Sequence, residues 1–360
     1  MNNSDQVRID DRWRGVTVAL LAAALFGAST PFSKLLVGNI SPMLLAGILY
    51  LSSGVGLSIW LAIRGLLTAH NKREARLQPG DLPWLSAAIL AGGVIAPVLL
   101  MFGLTGTPGS SASLLLNLEG VLTALLAWFV FKENFDRRIF VGMVAILAGG
   151  VLLSWQTRPT LGIPWAALGI CGACICWGID NNLTRKVSAA DPVQVAAIKG
   201  LVAGTVNVAV ALISGASIPR AIDLAAAGVV GFLSYGVSLT CFVLALRYVG
   251  TARTGAYFST APFIGAALSL VLLHEQPSLI FWLAGGLMVA GVWLHLTEKH
   301  SHLHHHEPMT HEHLHWHDEH HQHSHRPEDP PGEPHSHVHR HEELTHSHPH
   351  YPDIHHRHPH

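Results

Sequence analysis

Residues 109–131 read GSSASLLLNLEGVLTALLAWFVF and hold a single charged side chain, Glu119, in 23 positions. At about 1.5 Å of rise per helical residue, such a stretch is long enough to cross a hydrocarbon layer about 30 Å thick. An ionised group near the middle of a membrane helix costs on the order of 2.5–3.5 kcal/mol on insertion scales, so Glu119 is expected to face a polar cavity and not lipid. The segment predicts a membrane-spanning helix carrying one carboxylate.

Nine more apolar stretches flank it, at 15–37, 43–64, 83–103, 138–155, 163–184, 193–214, 223–246, 254–273 and 279–296. The first is too long, and through Ser29, Thr30, Ser33 and Lys34 too polar in its second half, for a removable signal peptide. Hydrophobic residues make up 49% of the chain and charged ones 12%, against about 25% charge in an ordinary soluble protein, which excludes a soluble enzyme as the default. Three of the four cysteines crowd into Cys171, Cys174 and Cys176, so no disulfide framework is implied.

Positive residues mark the cytoplasmic side of membrane proteins. With the N-terminus inside, that side holds Arg8, Arg12, Arg14, Arg64, Lys72, Arg73, Arg76, Lys132, Arg137, Arg138, Arg185, Lys186, Arg247, Arg253 and Lys299, and the other side holds only Lys34, Arg158 and Arg220. Ten spans then return the C-terminus to the cytoplasm.

The later parts of the two halves repeat at an offset of 142 residues. Lys132-Glu133 falls on His274-Glu275, Ala148-Gly149 on Ala290-Gly291, and Gly120 on Pro262. A looser match sets Phe26-Gly27 through Lys34 against Trp177-Gly178 through Arg185. Because five spans is an odd number, the second half enters the membrane in the opposite sense, the inverted-repeat plan of secondary transporters with a site near the midplane. The expected fold class is therefore an all-α membrane protein of ten transmembrane helices in two inverted five-helix repeats, with a disordered His-rich tail. Its parts are a cytoplasmic segment 1–14, the first repeat 15–155, the second repeat 156–299 and the tail 300–360.

The chain resembles the ten-helix EamA-type branch of the drug/metabolite transporter superfamily over about residues 15–296. Carrying the resemblance are Phe26-Gly27 with Pro31 and Lys34, Asn117-Leu118-Glu119 with Ala124-Leu125-Leu126-Ala127-Trp128 and Lys132-Glu133, then Trp177-Gly178, Ala261-Pro262-Phe263 and His274-Glu275. Gly120 stands where the family usually has Pro and His274 where it usually has Gly. The resemblance implies export of amino-acid-like or other amphipathic metabolites from the cytoplasm, and it includes no His-rich tail.

Six residues are candidates for substrate binding or coupling: Glu119, Asn117, Lys199, Trp177, Asp180 and Asn181. Glu119 is the candidate proton-coupling group. Asn117 lies about 200° around a regular helix from it and joins the same cavity only if the helix is distorted near Gly120. Lys199 sits about 9 Å into its span and either snorkels to the cytosol or meets substrate. Asp180, Asn181 and Asn182 beside Trp177 form either a substrate contact or a solvated helix end. Glu133 and Glu275 each suit the positive end of the helix that follows, and Gly142, Gly149, Gly286 and Gly291 mark close helix packing.

Of 27 histidines, 24 fall between His300 and His360. Imidazoles at His302, His304, His306, His311, His313, His315, His317, His335, His337, His339 and His341 suit a borderline divalent metal such as Zn, Ni, Co or Cu. Low aliphatic content predicts a tail that stays disordered without metal. The body carries 19 basic and 13 acidic residues and the tail 3 and 10. Helical spacing puts only Cys171 and Cys174 on one face, where buried thiols act as small hydrophobes.

The functional expectation is a non-enzyme, a secondary transporter of the inner (plasma) membrane that exports small organic metabolites by alternating access, with a metal-binding regulatory or buffering tail. No cofactor is required. Partners are a small-molecule substrate, membrane lipid and divalent metal ions, with a homodimer left open and no nucleic acid. The alternative is a protein that handles or exports divalent Ni, Co or Zn.

Overall fold

Apolar stretches bounded by prolines, glycines and charged turns fold as helices, as shown by a computed structural model of the chain. It describes residues 3–67, 77–131, 137–156, 164–184, 187, 191–249, 251–296, 301–306, 309–315, 335–341 and 344–349. The first half runs α1 (Asn3–Leu36), α2 (Pro42–Leu67), α3 (Leu82–Ala88), a π-helix (Ile89–Ile95), α4 (Ala96–Gly106), α5 (Gly109–Leu115), α6 (Leu118–Phe131) and α7 (Arg137–Gln156). The second runs α8 (Trp165–Thr184), α9 (Pro192–Ile213), α10 (Ala221–Gly231), a second π-helix (Phe232–Val237), α11 (Ser238–Val249), α12 (Thr251–Phe258), α13 (Ala261–Leu272) and α14 (Leu279–Leu296).

Each expected stretch is helical. Among the described residues, six helical stretches are long and apolar enough to cross a membrane: Arg14–Leu36, Pro42–Leu66, Pro79–Gly106, Gly109–Leu126, Val193–Ile213 and Ala221–Ala245. Phe140–Ser154, Ala261–Leu272 and Leu279–Leu294 are shorter apolar helices, and α8 carries the polar run Asp180, Asn181 and Asn182 near its end.

The 142-residue repeat reappears as shape. Adding 142 to the bounds of the first π-helix gives 231–237, within one residue of the second. The same offset carries α4 onto α11, α5 onto α12 and α7 onto α14, and α6 reaches α13 within a residue. The paired helices α5/α6 and α12/α13 are each interrupted by a short turn. Asn117 Nδ2 donates to the Leu114 carbonyl at 2.9 Å and Thr260 Oγ1 to the Tyr257 carbonyl at 2.6 Å, so both breaks use a side chain that competes for a backbone acceptor three residues back. The break thus falls at Leu116–Asn117, before Gly120, where the sequence suggests a distortion.

Repeat-equivalent helices also pack on one another, α2 against α9 and α7 against α14. Glycines permit the approach: a Cβ on Gly54 would lie 2.3 Å from the Leu201 nitrogen, and one on Gly291 would lie 2.6 Å from the Gly142 carbonyl oxygen. Gly149 is similarly tight against Ala284 and Met288, whereas Gly286 has open space around it, so its expected packing role is corrected.

One contact breaks the symmetry. α5 packs on α13, but among the described residues the equivalent α12 and α6 make no extended contact. On the α5 side, Glu275 accepts from the Gly109 nitrogen at 2.5 Å, from the Ser110 nitrogen at 3.0 Å and from Ser110 Oγ at 2.5 Å. The Lys34 ammonium donates to the Leu104 carbonyl at the same end. Glu275 therefore does not serve the helix that follows it, as expected, but caps a helix of the other half. The chain reaches α5 because His274 turns sharply at φ +52°, a left-handed conformation that costs a non-glycine residue about 1–2 kcal/mol. Glu133, its repeat mate, lies outside the described residues, as do Lys132, Arg185, Lys72, Arg73 and Arg76. Because α14 starts beside Glu275 and runs antiparallel to α7, Leu296 ends at the opposite face.

The tail departs from the expected disorder. β1 (Ser301–His306) pairs antiparallel with β4 (Leu344–Pro349), and β2 (Met309–His315) pairs with β3 (His335–His341). Directly opposed positions include His302 and His348, His304 and His346, His311 and His339, His313 and His337, and His315 and His335. A ladder satisfies backbone groups without a hydrophobic core, and histidine at alternate positions matches the two-residue strand period. Low aliphatic content argues against a core, not against such pairing. His317 lies outside the described residues.

Candidate functional site

Where the π-helix of the first half meets α8 and α9, three side chains converge on its carbonyls. A π turn re-spaces the backbone ladder and is common at functional positions. Tyr50 OH and Trp177 Nε1 both donate to the Gly92 carbonyl at 3.0 Å, while Asn207 Nδ2 donates to the Gly93 and Val94 carbonyls at 3.3 and 3.2 Å. Gly92 leaves room for a carboxylate: a Cβ there would lie 2.0 Å from Asp180 Oδ2.

Helical spacing places Trp177, Asp180 and Thr184 on one side of α8. Lys199 Nζ of α9 lies 2.5 and 2.7 Å from the two Asp180 oxygens and donates to Thr184 Oγ1 at 3.2 Å, and Thr184 Oγ1 donates to Asp180 Oδ1 at 2.8 Å. Lys199 is thus committed to a part-buried ion pair with Asp180. Removing either member would leave an unpaired charge in a low-dielectric interior.

One residue round the helix, Asn181 turns to α6. Its Nδ2 donates to Glu119 Oε1 at 2.9 Å and to Thr123 Oγ1 at 3.2 Å, and Asn182 Nδ2 donates to the Gly178 and Thr123 carbonyls at 2.8 and 3.2 Å. Glu119 lies within electrostatic reach of Asp180, Lys199, Tyr50 and Tyr235. Tyr50 and Tyr235 rings sit 5.4 Å apart, and the series continues through Phe26 at 5.9 Å to Phe258 at 5.3 Å. The site therefore draws on both halves.

Of the six expected residues, Glu119, Lys199, Trp177, Asp180 and Asn181 are brought together. Asn117 is not: it is buried on the other side of the helix break, with Met288 Sδ 3.9 Å from its amide. Sequence reasoning missed Tyr50, Tyr235, Gly92, Thr123, Thr184 and Asn207. The tyrosines carried a signal, since a hydroxyl inside an apolar stretch needs a partner. Cys174 is buried with its thiol 3.7 Å from the Leu115 carbonyl, and Cys171, Cys174 and Cys176 are free. Among the described residues of the helices, no group of three or more His, Cys, Asp or Glu side chains is placed to hold a metal ion.

Comparison with known proteins agrees with this architecture. The EamA-like transporter family matches twice, over residues 13–155 and 164–297, one match per half. An uncharacterized transporter of Methanothermobacter thermautotrophicus is 28% identical over 295 residues, covering 78% of this chain and 85% of its own. The uncharacterized inner membrane transporter YedA of Escherichia coli is 27% identical over 288 residues, covering 77% and 89%. A solved crystal structure at 18% identity superposes with a TM-score of 0.58, covering 78% of this chain and 95% of its own, and shows the same fold.

Proposed function

The chain belongs to the EamA-like transporter family, and from that membership we propose that it exports small amphipathic metabolites from the cytoplasm by alternating access across ten spans. It is a multi-pass membrane transporter. The observation that supports the mechanism is the broken symmetry: α5 and α13 pack together, while among the described residues α6 and α12 make no extended contact. Inverted repeats exchange exactly such equivalent contacts as the site turns from one face to the other. The excess of positive residues assigns the α6 and α12 end, where α14 finishes, to the cytoplasm of the inner membrane. In this state substrate enters from inside.

Glu119 is the proposed coupling group, a carboxylate that takes up a proton or substrate as the site turns. Full-length protein in proteoliposomes should show metabolite transport that responds to a pH gradient, and Glu119→Gln should transport with little response. Wild-type transport indifferent to the gradient would remove Glu119 from that role.

The strand register that sets His311 opposite His339, His313 opposite His337 and His315 opposite His335 supports a metal-binding tail. Binding by His311, His313, His315, His335, His337 and His339 requires neutral imidazole, so it should be strong at about pH 7.5 and fall below about pH 6. Replacing the opposed pair His313 and His337 by Ala should weaken Zn or Ni binding more than replacing the offset pair His313 and His339. Equal losses would mean that no ladder organises the metal.

A further inference from the structure

Around Glu119 the ammonium and amide donors are spent and an acceptor is left over. An ammonium has three N–H groups, and those of Lys199 meet two Asp180 oxygens and Thr184 Oγ1. The Asn181 and Asn182 amides each serve two protein acceptors, and the Tyr50 hydroxyl and Trp177 indole share the Gly92 carbonyl. A substrate carboxylate entering this site would find no free ammonium or side-chain amide among these residues to pair with.

Glu119 is the reverse case. A carboxylate offers about four acceptor positions; Asn181 fills one, and no described cation pairs with Glu119. The carboxylate is only partly enclosed, and Asn181, its hydrogen-bond partner, is exposed. Asp180 and Lys199 cancel, so the cluster of Glu119, Asp180 and Lys199 holds one net negative charge. The Tyr50 and Tyr235 rings lie within reach of that charge, and an aromatic face attracts a cation by roughly 2 kcal/mol when water is excluded.

We infer that this site takes an organic monocation, a protonated amine on a flat apolar body, with Glu119 as its counter-ion and the paired tyrosines against its apolar part. The inference narrows the amphipathic substrate class and rests on the transporter reading. A zwitterion is disfavoured because Lys199 is occupied, and a bare metal ion because one carboxylate does not supply a coordination shell.

Four solutes sharing an indole ring separate the charges: tryptamine (cation), tryptophan (zwitterion), tryptophol (neutral) and indole-3-acetate (anion). Calorimetric binding to the full chain in lipid nanodiscs is measured alongside uptake into proteoliposomes. Tryptamine should bind about tenfold or more tighter than the other three. Glu119→Gln should reduce it to the level of tryptophol, and Asp180→Asn, which frees Lys199, should move the preference toward tryptophan. The inference is overturned if tryptophan or indole-3-acetate binds as tightly as tryptamine, if Glu119→Gln leaves the order intact, or if none of the four binds. Preferred tryptamine binding without uptake of any solute would uphold the site and reject the transporter reading. Uptake of the zwitterion or anion in place of the amine would do the opposite.

Discussion

The two π-helices occupy equivalent places in the two halves and are held by different means. Ile89–Ile95 receives hydrogen bonds on three successive carbonyls from Tyr50, Trp177 and Asn207, each on a different helix. Phe232–Val237 is touched through rings, Tyr235 against Phe26 and Tyr50, and the hydrogen bond recorded to one of its carbonyls comes from Thr240, a turn further along the same stretch. Directional bonds from several helices fix a geometry, whereas ring contacts tolerate sliding. The difference marks the first π-helix as the wall of the site held by more directional contacts from other helices.

The harshest way to break this contrast is Gly92→Ala. Its Cβ would meet the Asp180 carboxylate at 2.0 Å, and overpacking of this kind costs about 1–3 kcal/mol. Transport should fall to background with a lowered thermal midpoint, while Ser234→Ala, at the equivalent place, should retain most transport. Comparable losses from the two would erase the distinction. Next in size, Asn207→Leu removes donors from two carbonyls. At an average of about 0.6 and up to about 1.7 kcal/mol per intramembrane bond, the variant should lose about 1–2 kcal/mol in an unfolding titration in mixed micelles.

Smaller effects sharpen the picture. Tyr50→Phe and Trp177→Phe each leave the Gly92 carbonyl one remaining donor, so each alone should cost about 0.5 kcal/mol, with the double variant losing more than the sum. Simple additivity in that cycle would show that the two donors do not depend on one another. The smallest change is expected from Thr240→Val on the second π-helix, below about 0.6 kcal/mol and with transport intact.

Much of the site was legible because its residues are costly where they stand. Glu119, Asp180 and Lys199 betray themselves as charges inside apolar stretches, and Trp177 and Asn181 lie beside them in the chain. Glycine at position 92 gave no such signal, being one of 34, and nothing local says that a carboxylate 88 positions later would fill its missing side chain. Asn117 misled because proximity in sequence to Glu119 is undone by the helix break that Asn117 itself stabilises. Glu275 misled for a related reason: the nearest helix start in sequence is not the nearest in space.

Hydrophobic length, charge bias and internal repetition are sums over neighbouring residues, so the chain alone determined that it enters a membrane, folds as two similar halves and carries carboxylates inside its apolar stretches. Which helix ends pack together, which partner neutralises Lys199 and which donors are already committed depend on groups from distant segments approaching within about 3 Å. Those approaches were decided only by the packing of α2, α8 and α9 around the first π-helix, because hydrogen-bond saturation is a property of positions in space and has no counterpart in the order of residues.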